Sequence, residues 1–221
     1  MTRTYTPQPD VSIVIGTYGD SFWDERGDWL ADKTWNDLWQ PLGVTFEIIH
    51  IHDENLMEAR NRGAEKGRGQ WLIFLDADDL LDCDYVFRTV GTFHTQPHLD
   101  VLCPKVRGFH ARIISGETNT EFLGYEQFDY IEGAPVRPDR SPLIRKNYLP
   151  IGAPVSYKAF EWVGGFDSWP VLEDWAFWLA IDQAGFEFGE LDSTYIINDE
   201  HTRNQHPDID NIARQIRKEF S

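Results

Sequence analysis

Along the first half of the 221-residue chain, short apolar runs alternate with longer amphipathic stretches. Alternation of strands and helices is typical of an α/β domain with a mostly parallel central sheet flanked by helices. Short apolar or β-branched runs predict buried strands at 11–15, 46–52 and 71–75, and amphipathic stretches predict helices at 22–40, 56–66 and 83–95.

The second half continues with a less regular pattern. Strands are predicted at 100–107 and 195–197, a small antiparallel hairpin at 112–115 and 121–123, and helices at 158–162, 173–184 and 209–220. Residues 124–150 contain four prolines and little periodicity, which indicates a long binding loop or lid. Repeats and linker-like segments are absent from the sequence, so we expect one domain over residues 1–221.

Three carboxylates follow the most apolar strand. The run 71–75 ends in Asp76, Ala77, Asp78 and Asp79, and ionised carboxylates are expected where a buried strand emerges at its C-terminal end. Ligands bind at that edge of open α/β sheets, and closely spaced carboxylates suit Mg²⁺ or Mn²⁺. A cation held there would carry a diphosphate. The alternative is a solvated turn or the N-cap of the next helix.

The first strand ends in a glycine-flanked loop, residues 16–20. Gly16 and Gly19 allow close backbone approach, while Thr17 offers a hydroxyl and Tyr18 a flat ring, as a nucleobase site requires. The alternative is an ordinary βα turn with Tyr18 packed on the sheet.

Charged residues near the second strand have two interpretations each. His50 and His52 lie on one face of this strand. They could be metal ligands, but we favour the interpretation that they are polar residues whose hydrogen bonds are satisfied. Arg60 and Arg62 either contact a phosphate or lie on a solvated helix face. Positive charge is also concentrated in the predicted loop, at Arg137, Arg140, Arg145 and Lys146, and could hold a diphosphate.

A second acidic pair, Glu173 and Asp174, opens a predicted helix. Acids in a first helical turn are favoured by the helix dipole, which explains the pair without any function. The same field favours an ionised Asp174, as a general base must be.

Composition narrows the possible partners. The net charge of −17 argues against binding to nucleic acid or anionic membranes, since both need basic patches. Two cysteines, Cys83 and Cys103, imply no disulfide framework and are expected as reduced thiols in a cytoplasmic protein. No apolar run approaches the length of a membrane span, so no integral membrane segment is expected.

The order of these segments resembles the family-2 inverting glycosyltransferases, which have the GT-A fold. The matching segments are 11–18, Glu58-Ala59-Arg60-Asn61 with Gly63, 71–79, Gly164-Gly165-Phe166-Asp167, and Glu173-Asp174-Trp175. They cover about 11–80 and 150–203. The resemblance implies a nucleotide-binding half at about 11–110, an acceptor-binding half at about 111–205 and a C-terminal helix at about 207–220.

The resemblance also implies roles for individual residues. Asp174 would be the catalytic base and Glu173 would contact donor or acceptor hydroxyls. Asp76 and Asp78 would hold the Mn²⁺ or Mg²⁺ that bridges the diphosphate, with His201 as a further candidate metal ligand. The implied donor-binding residues are Thr17, Tyr18, Asp53, Arg60, Asp76 and Ala77.

One departure from the family pattern affects the choice of nucleotide. The family usually has a further helix and strand between its second strand and the Ala-Arg-Asn helix, whereas here strand 46–52 leads directly through Asp53, Glu54 and Asn55 into that helix. Asp53 is therefore the candidate for reading the base, and UDP is the expected but not the only possible nucleotide.

The predicted activity is metal-dependent transfer of a sugar from a nucleotide-diphospho-sugar, with UDP-sugar favoured, to a carbohydrate, lipid-linked or protein acceptor. A sugar-1-phosphate nucleotidyltransferase is one alternative, although residues 16–20 lack the basic phosphate loop it usually needs. A non-catalytic carbohydrate-binding protein is the other, and the presence of both Asp78 and Asp174 disfavours it.

Overall fold

The structure, a computed structural model, describes residues 8–115, 122–138, 142–198 and 206–221. The strands in these ranges are β1 (Val11–Tyr18), β2 (Phe46–Asp53), β3 (Trp71–Asp76), β4 (Leu80–Leu81), β5 (Val101–Ser115), β6 (Phe122–Tyr130), β7 (Val155–Ser156) and β8 (Phe188–Asn198). The helices are α1 (Ser21–Asp37), α2 (Leu56–Lys66), α3 (Tyr85–Thr95), α4 (Tyr157–Val163), α5 (Glu173–Gln183) and α6 (Ile209–Glu219).

One mixed sheet organises the described residues, with strand order β2-β1-β3-β7-β5-β8-β4 and β6 paired to β5. Strands β2, β1 and β3 are parallel, as are β5 and β8, and the short strands β7 and β4 pair antiparallel to their neighbours. In this register Gly16 lies beside Asp76, and Tyr18 lies beside Asp53. The C-terminal ends of the three parallel strands therefore place the glycine loop next to the acidic turn, as the α/β prediction requires.

An aromatic cluster fixes helix α5 against the central strand. Phe74 of β3 contacts Phe166 edge-on, with ring centroids 4.8 Å apart, and Phe166 stacks on Phe177 of α5 at 4.3 Å. Helix α5 is buried at every position from Trp175 to Leu179, which explains why its sequence is apolar on all sides. Burial of these rings holds the first turn of α5 close to the end of β3.

Several strands are longer than the sequence predicts. Strand β1 continues through Gly16 and Thr17 to Tyr18, β5 extends to Ser115, and β8 begins at Phe188 and ends at Asn198. The predicted hairpin is present as the antiparallel pair β5–β6, although its turn lies outside the described residues. Because β6 runs to Tyr130, the start of the predicted 124–150 loop is a strand, and that part of the prediction was wrong.

The membrane prediction concerns the helices. None of the helices in the described ranges is both long enough and apolar enough to cross a bilayer.

Candidate active site

The three carboxylates lie together where β3 ends. The chain turns directly after Asp76, with the Asp79 amide donating to the Asp76 carbonyl at 3.0 Å. Asp76, Asp78 and Asp79 each offer one carboxylate oxygen, and these oxygens lie within 4.8 Å of one another. Hard oxygen donors at this spacing fit a divalent cation. The alternative in which Asp76 or Asp78 caps the next helix is wrong, because α3 begins later, at Tyr85.

Asp79 is the buried member of the group and connects the turn to strand β8. Its carboxylate accepts a hydrogen bond from the Tyr195 hydroxyl at 2.7 Å and another from the Asn198 backbone amide at 2.8 Å. Burial raises the pKa of Asp79 well above its usual range, and the neighbouring charges of Asp78 and Asp76 raise it further. A bound cation would relieve this crowding of negative charge, so the donor set fits a metal.

Arg60 joins the acidic turn to the start of α5. Its side chain is 3% exposed; Nη2 donates to Asp76 Oδ1 at 2.5 Å and Nη1 donates to Glu173 Oε1 at 2.7 Å. Burial lowers the pKa of Arg60, but the charges of Asp76 and Glu173 outweigh it, so the pKa lies above its ordinary value. Arg60 is therefore a permanent cation, and both of these donors are directed at carboxylates.

Asp174 follows Glu173 in the first turn of α5. Asp174 Oδ1 accepts the Trp175 amide at 2.7 Å, and Oδ2 accepts the Asn147 side-chain amide at 2.9 Å. Burial and the Glu173 charge raise the pKa of Asp174 to about 6, while Arg60 and these hydrogen bonds act in the opposite direction. At neutral pH the carboxylate is mostly ionised yet basic enough to accept a proton.

A backbone constraint precedes this pair. Leu172 has φ 63° and is the only non-glycine residue with positive φ in the described part of the chain. Left-handed backbone is unfavourable for a side chain of this size. The surrounding structure holds Leu172 in this conformation, and α5 then begins with Glu173 and Asp174 facing the site.

Two cavities meet at the acidic turn. The larger, about 750 Å³, is lined by the acidic turn, including Asp78, by the acidic pair of α5, including Asp174, and by Asn147. The smaller, about 400 Å³, is lined by the glycine loop with Thr17 and Tyr18, and by Trp23. Asp76 and Asp78 line both cavities, and Ala77 lines the smaller one. A ligand with its base in the smaller cavity would therefore place its diphosphate over the carboxylates.

Thr17 connects the glycine loop to the two histidines of β2. Its buried hydroxyl lies 2.8 Å from His50 Nε2 and 3.0 Å from His52 Nδ1, and His50 Nδ1 lies 2.8 Å from Asp28 Oδ1. Both histidines are thus satisfied polar residues, the interpretation the sequence favoured. The Tyr18 ring is 52% exposed and so is not packed on the sheet.

Several predicted residues lie elsewhere. Asp53 pairs with Arg62 rather than lining the smaller cavity. Arg137 pairs with Glu190 at 3.1 Å, whereas Lys146 lines the larger cavity. His201 and Arg140 lie outside the described residues, and Arg145 is an exposed residue that does not line either cavity.

Sequence reasoning missed Asn147 and Tyr195 as parts of the site. Asn147 belongs to an irregular segment with no periodicity, and its partner Asp174 is 27 positions away. Tyr195 was predicted only as a strand residue. Because the hydroxyl of a buried tyrosine needs a hydrogen-bond partner, its position in a buried strand was a signal that an acceptor lies nearby.

Comparisons with known proteins bear on the family and the fold. The family model described as glycosyl transferase family 2 matches residues 40–142. A putative glycosyltransferase of Bacillus subtilis (strain 168), EpsH, is 39% identical over 49 residues, which are 21% of this chain and 14% of that protein.

Solved structures of S. aureus TarS 1-349 share the fold. The complex with UDP has a TM-score of 0.62 at 14% identity, covering 96% of this chain and 65% of that one. The complex with UDP-GlcNAc has a TM-score of 0.60 at 14% identity, covering 94% and 65%. The chain thus spans less than two thirds of the length of these relatives.

The fold and the acidic turn at its sheet edge define a GT-A protein. Within that class, residues 40–142 match the family model described as glycosyl transferase family 2. The predicted fold class is confirmed, and this match supports the predicted family.

Proposed function

We propose that this protein transfers a sugar from a nucleotide-diphospho-sugar to an acceptor hydroxyl with inversion at the anomeric carbon. The observation that carries the proposal is the convergence of Asp78 and Asp174, nearly a hundred positions apart in sequence, on one cavity. In this proposal Asp78 would hold a cation and Asp174 would accept a proton. These are the two functions that a single-displacement transfer requires of the protein.

The proposed donor is a UDP-sugar. The smaller cavity joins the larger at Asp76 and Asp78, so a nucleoside in the first and a sugar in the second would place a diphosphate at the acidic turn. Tyr18 offers an exposed ring for stacking of the base. TarS is a structural neighbour solved with UDP and with UDP-GlcNAc, which supports this donor class.

Asp76 and Asp78 would hold Mn²⁺ or Mg²⁺. Asp79 would fix the turn through its hydrogen bond with Tyr195. A bound cation neutralises the charge that develops on the leaving diphosphate. Among the residues of the chain, Arg60 holds Asp76 and Glu173 in place. This ion pairing keeps the acidic turn close to the proposed general base, Asp174.

Asp174 is the proposed general base. The acceptor hydroxyl gives its proton to Asp174 Oδ2, the acceptor oxygen bonds to the anomeric carbon, and the bond from that carbon to the diphosphate oxygen breaks. The electron pair leaves with the nucleoside diphosphate, so no covalent intermediate with the protein forms. The Asn147 amide on Oδ2 orients the carboxylate for this transfer.

A cytoplasmic location is part of the proposal. Neither exposed Cys83 nor buried Cys103 forms a disulfide in the described part of the chain, which suits a reducing compartment.

The test is incubation with UDP-, GDP-, dTDP- and CMP-sugars in the presence of Mn²⁺, with product analysis by mass spectrometry. Release of UDP together with a β-configured product from an α-linked donor would support the proposal. Exchange of pyrophosphate into the nucleotide sugar would instead indicate a nucleotidyltransferase, and binding without turnover would indicate a carbohydrate-binding protein.

A further inference from the structure

Asn147 bridges the proposed base and the interior of the larger cavity. Its Nδ2 donates to Asp174 Oδ2 at 2.9 Å, and its side chain lines the cavity. An ionised carboxylate accepts hydrogen bonds and donates none, so the NH₂ end of the amide must face Asp174. The carbonyl oxygen, Oδ1, is therefore directed away from Asp174.

That carbonyl oxygen has no hydrogen-bond partner among the described residues, and it is buried. A buried amide oxygen without a partner is unfavourable and uncommon in native proteins. Asn147 lines the cavity in which the acceptor would bind, so a small rotation of its amide would open this oxygen to a hydroxyl of the acceptor.

The hydrogen-bonding capacity of Asp174 fixes where the acceptor lies. Each carboxylate oxygen accepts about two hydrogen bonds, and Trp175 and Asn147 each use one position, on Oδ1 and Oδ2 respectively. A position on Oδ2 remains for the attacking hydroxyl. That hydroxyl would lie beside the Asn147 amide, so a second hydroxyl on the adjacent carbon of the acceptor would come within reach of Asn147 Oδ1.

We propose that Asn147 selects acceptors that carry a hydroxyl on the carbon next to the attacking one, a vicinal diol of a sugar or polyol. The inference rests on the proposed function, since it takes Asp174 as the base. It names Asn147 as the residue that determines acceptor specificity, with Nδ2 orienting the base and Oδ1 accepting from the second hydroxyl.

The experiment is a competition between two small acceptors, 1,2-propanediol and 1-propanol, at equal concentration with Mn²⁺ and whichever UDP-sugar the protein hydrolyses. The ratio of the two glycosides is measured by mass spectrometry for the wild type, Asn147→Leu and Asn147→Ser. Asn36→Leu is the matched control, because it makes the same chemical change on the exposed face of α1, where the side chain donates to the Asp32 carbonyl. Thermal shift with UDP checks that each variant is folded.

The wild type and Asn36→Leu should favour the diol roughly two- to tenfold, the effect of one net hydrogen bond between neutral groups. Both Asn147 variants should lose this preference while still binding UDP. If UDP is released but wild type and Asn147 variants give the same product ratio, Asn147 does not read the acceptor. If no nucleotide sugar is consumed at all, the proposed function fails, and the inference fails with it.

Discussion

The guanidinium of Arg60 and the carboxylate of Glu173 form an ion pair at 2.7 Å although 113 positions separate them in the chain. The other Nη of Arg60 pairs with Asp76 at 2.5 Å. One buried cation thus sets the spacing between the turn that would bind a metal and the helix that carries the proposed base. An arginine suits this role because its planar fork engages two carboxylates at once.

Arg60→Met should therefore affect stability and activity together. Removing the cation leaves Asp76 and Glu173 as neighbouring negative charges without their partner, and breaking a wholly buried pair costs about 3–5 kcal/mol. Since Asp76 is 34% exposed, we expect a smaller loss of unfolding free energy, on the order of 2–4 kcal/mol. Urea unfolding measures this loss, and turnover should become undetectable.

Arg62→Met is the matched control for Arg60→Met. Arg62 is on the same helix and also pairs with an aspartate, Asp53, but its side chain is 54% exposed. Because the Arg62 guanidinium stays in contact with water, solvent screening weakens this pair, and the unfolding free energy should change little. Equal losses for the two variants would show that Arg60 is not the structural connection we describe.

Asp174→Asn should abolish sugar transfer and leave UDP binding intact. The amide keeps the shape of the carboxylate but cannot accept the proton of the acceptor hydroxyl. Activity is measured by release of UDP, and binding by calorimetry with UDP and Mn²⁺. Turnover near that of the wild type would show that another group is the base.

The same aspartate should set the pH dependence of the wild type. Burial and the Glu173 charge raise the pKa of Asp174 to about 6, so kcat/KM should rise through about pH 6 and level off above it. A rate that stays constant from pH 5 to 8 would contradict the assignment. The profile should be measured in saturating Mn²⁺, so that metal binding does not contribute.

A raised pKa also predicts a change in stability. Because the folded state binds this proton more tightly than the unfolded chain, the contribution of Asp174 to stability is fully present below pH 3.8 and is lost as the pH rises through 6. A shift of about two units corresponds to at most about 3 kcal/mol. Asp174→Asn should therefore be at least as stable as the wild type at pH 8, and thermal unfolding at pH 5 and pH 8 measures the difference.

Local signals in the sequence were enough to predict the sheet edge and its acids. The predicted helix 56–66 has the observed bounds, Leu56–Lys66, since Asn55 accepts the Glu58 amide at its start and Gly67 ends it. The strand before Asp76 was equally clear, because an uninterrupted apolar run followed by carboxylates fits few other structures.

The burial of individual side chains and the bounds of some strands depend on residues far away in the chain, so they could not be predicted from local sequence. Arg60 and Arg62 look equivalent in sequence, and only the tertiary structure, in which α2 packs against β1 and β2 and Arg60 pairs with Glu173, buries Arg60. Strand β1 was predicted too short because Gly16 and Thr17 interrupt its apolar run, yet backbone pairing with β2 and β3 continues there. Among the described strands β6 pairs with β5 alone, so its bounds depend on that distant partner rather than on its own sequence.

The acidic turn gives a test of metal dependence. Chelation with EDTA should abolish transfer, and Mn²⁺ should restore it. Asp78→Asn removes one charged ligand, so the Mn²⁺ concentration for half-maximal rate should rise at least about tenfold, the scale of effects at metal sites. Asp37→Asn, on the exposed end of α1 where Asp37 pairs with Lys33, is the control and should need no additional metal. Full activity in EDTA would rule out a cation at this turn.

Alanine substitutions at two helical glycines distinguish two effects on stability. One effect is steric overlap next to the glycine loop, and the other is the higher helix propensity of alanine. A Cβ on Gly27 of α1 would lie 2.2 Å from His50 Nε2, the atom that contacts the Thr17 hydroxyl, whereas a Cβ on Gly91 of α3 meets no atom within 4 Å. Gly91→Ala should stabilise the protein by about 0.5–1 kcal/mol, because alanine loses less backbone entropy in a helix. Gly27→Ala should instead destabilise it by about 1–3 kcal/mol, the usual cost of overpacking, and should weaken UDP binding by displacing His50 and Thr17. Chemical unfolding and UDP titration of both variants measure these effects, and a Gly27→Ala protein as stable as Gly91→Ala would show that α1 does not pack against His50 as closely as described.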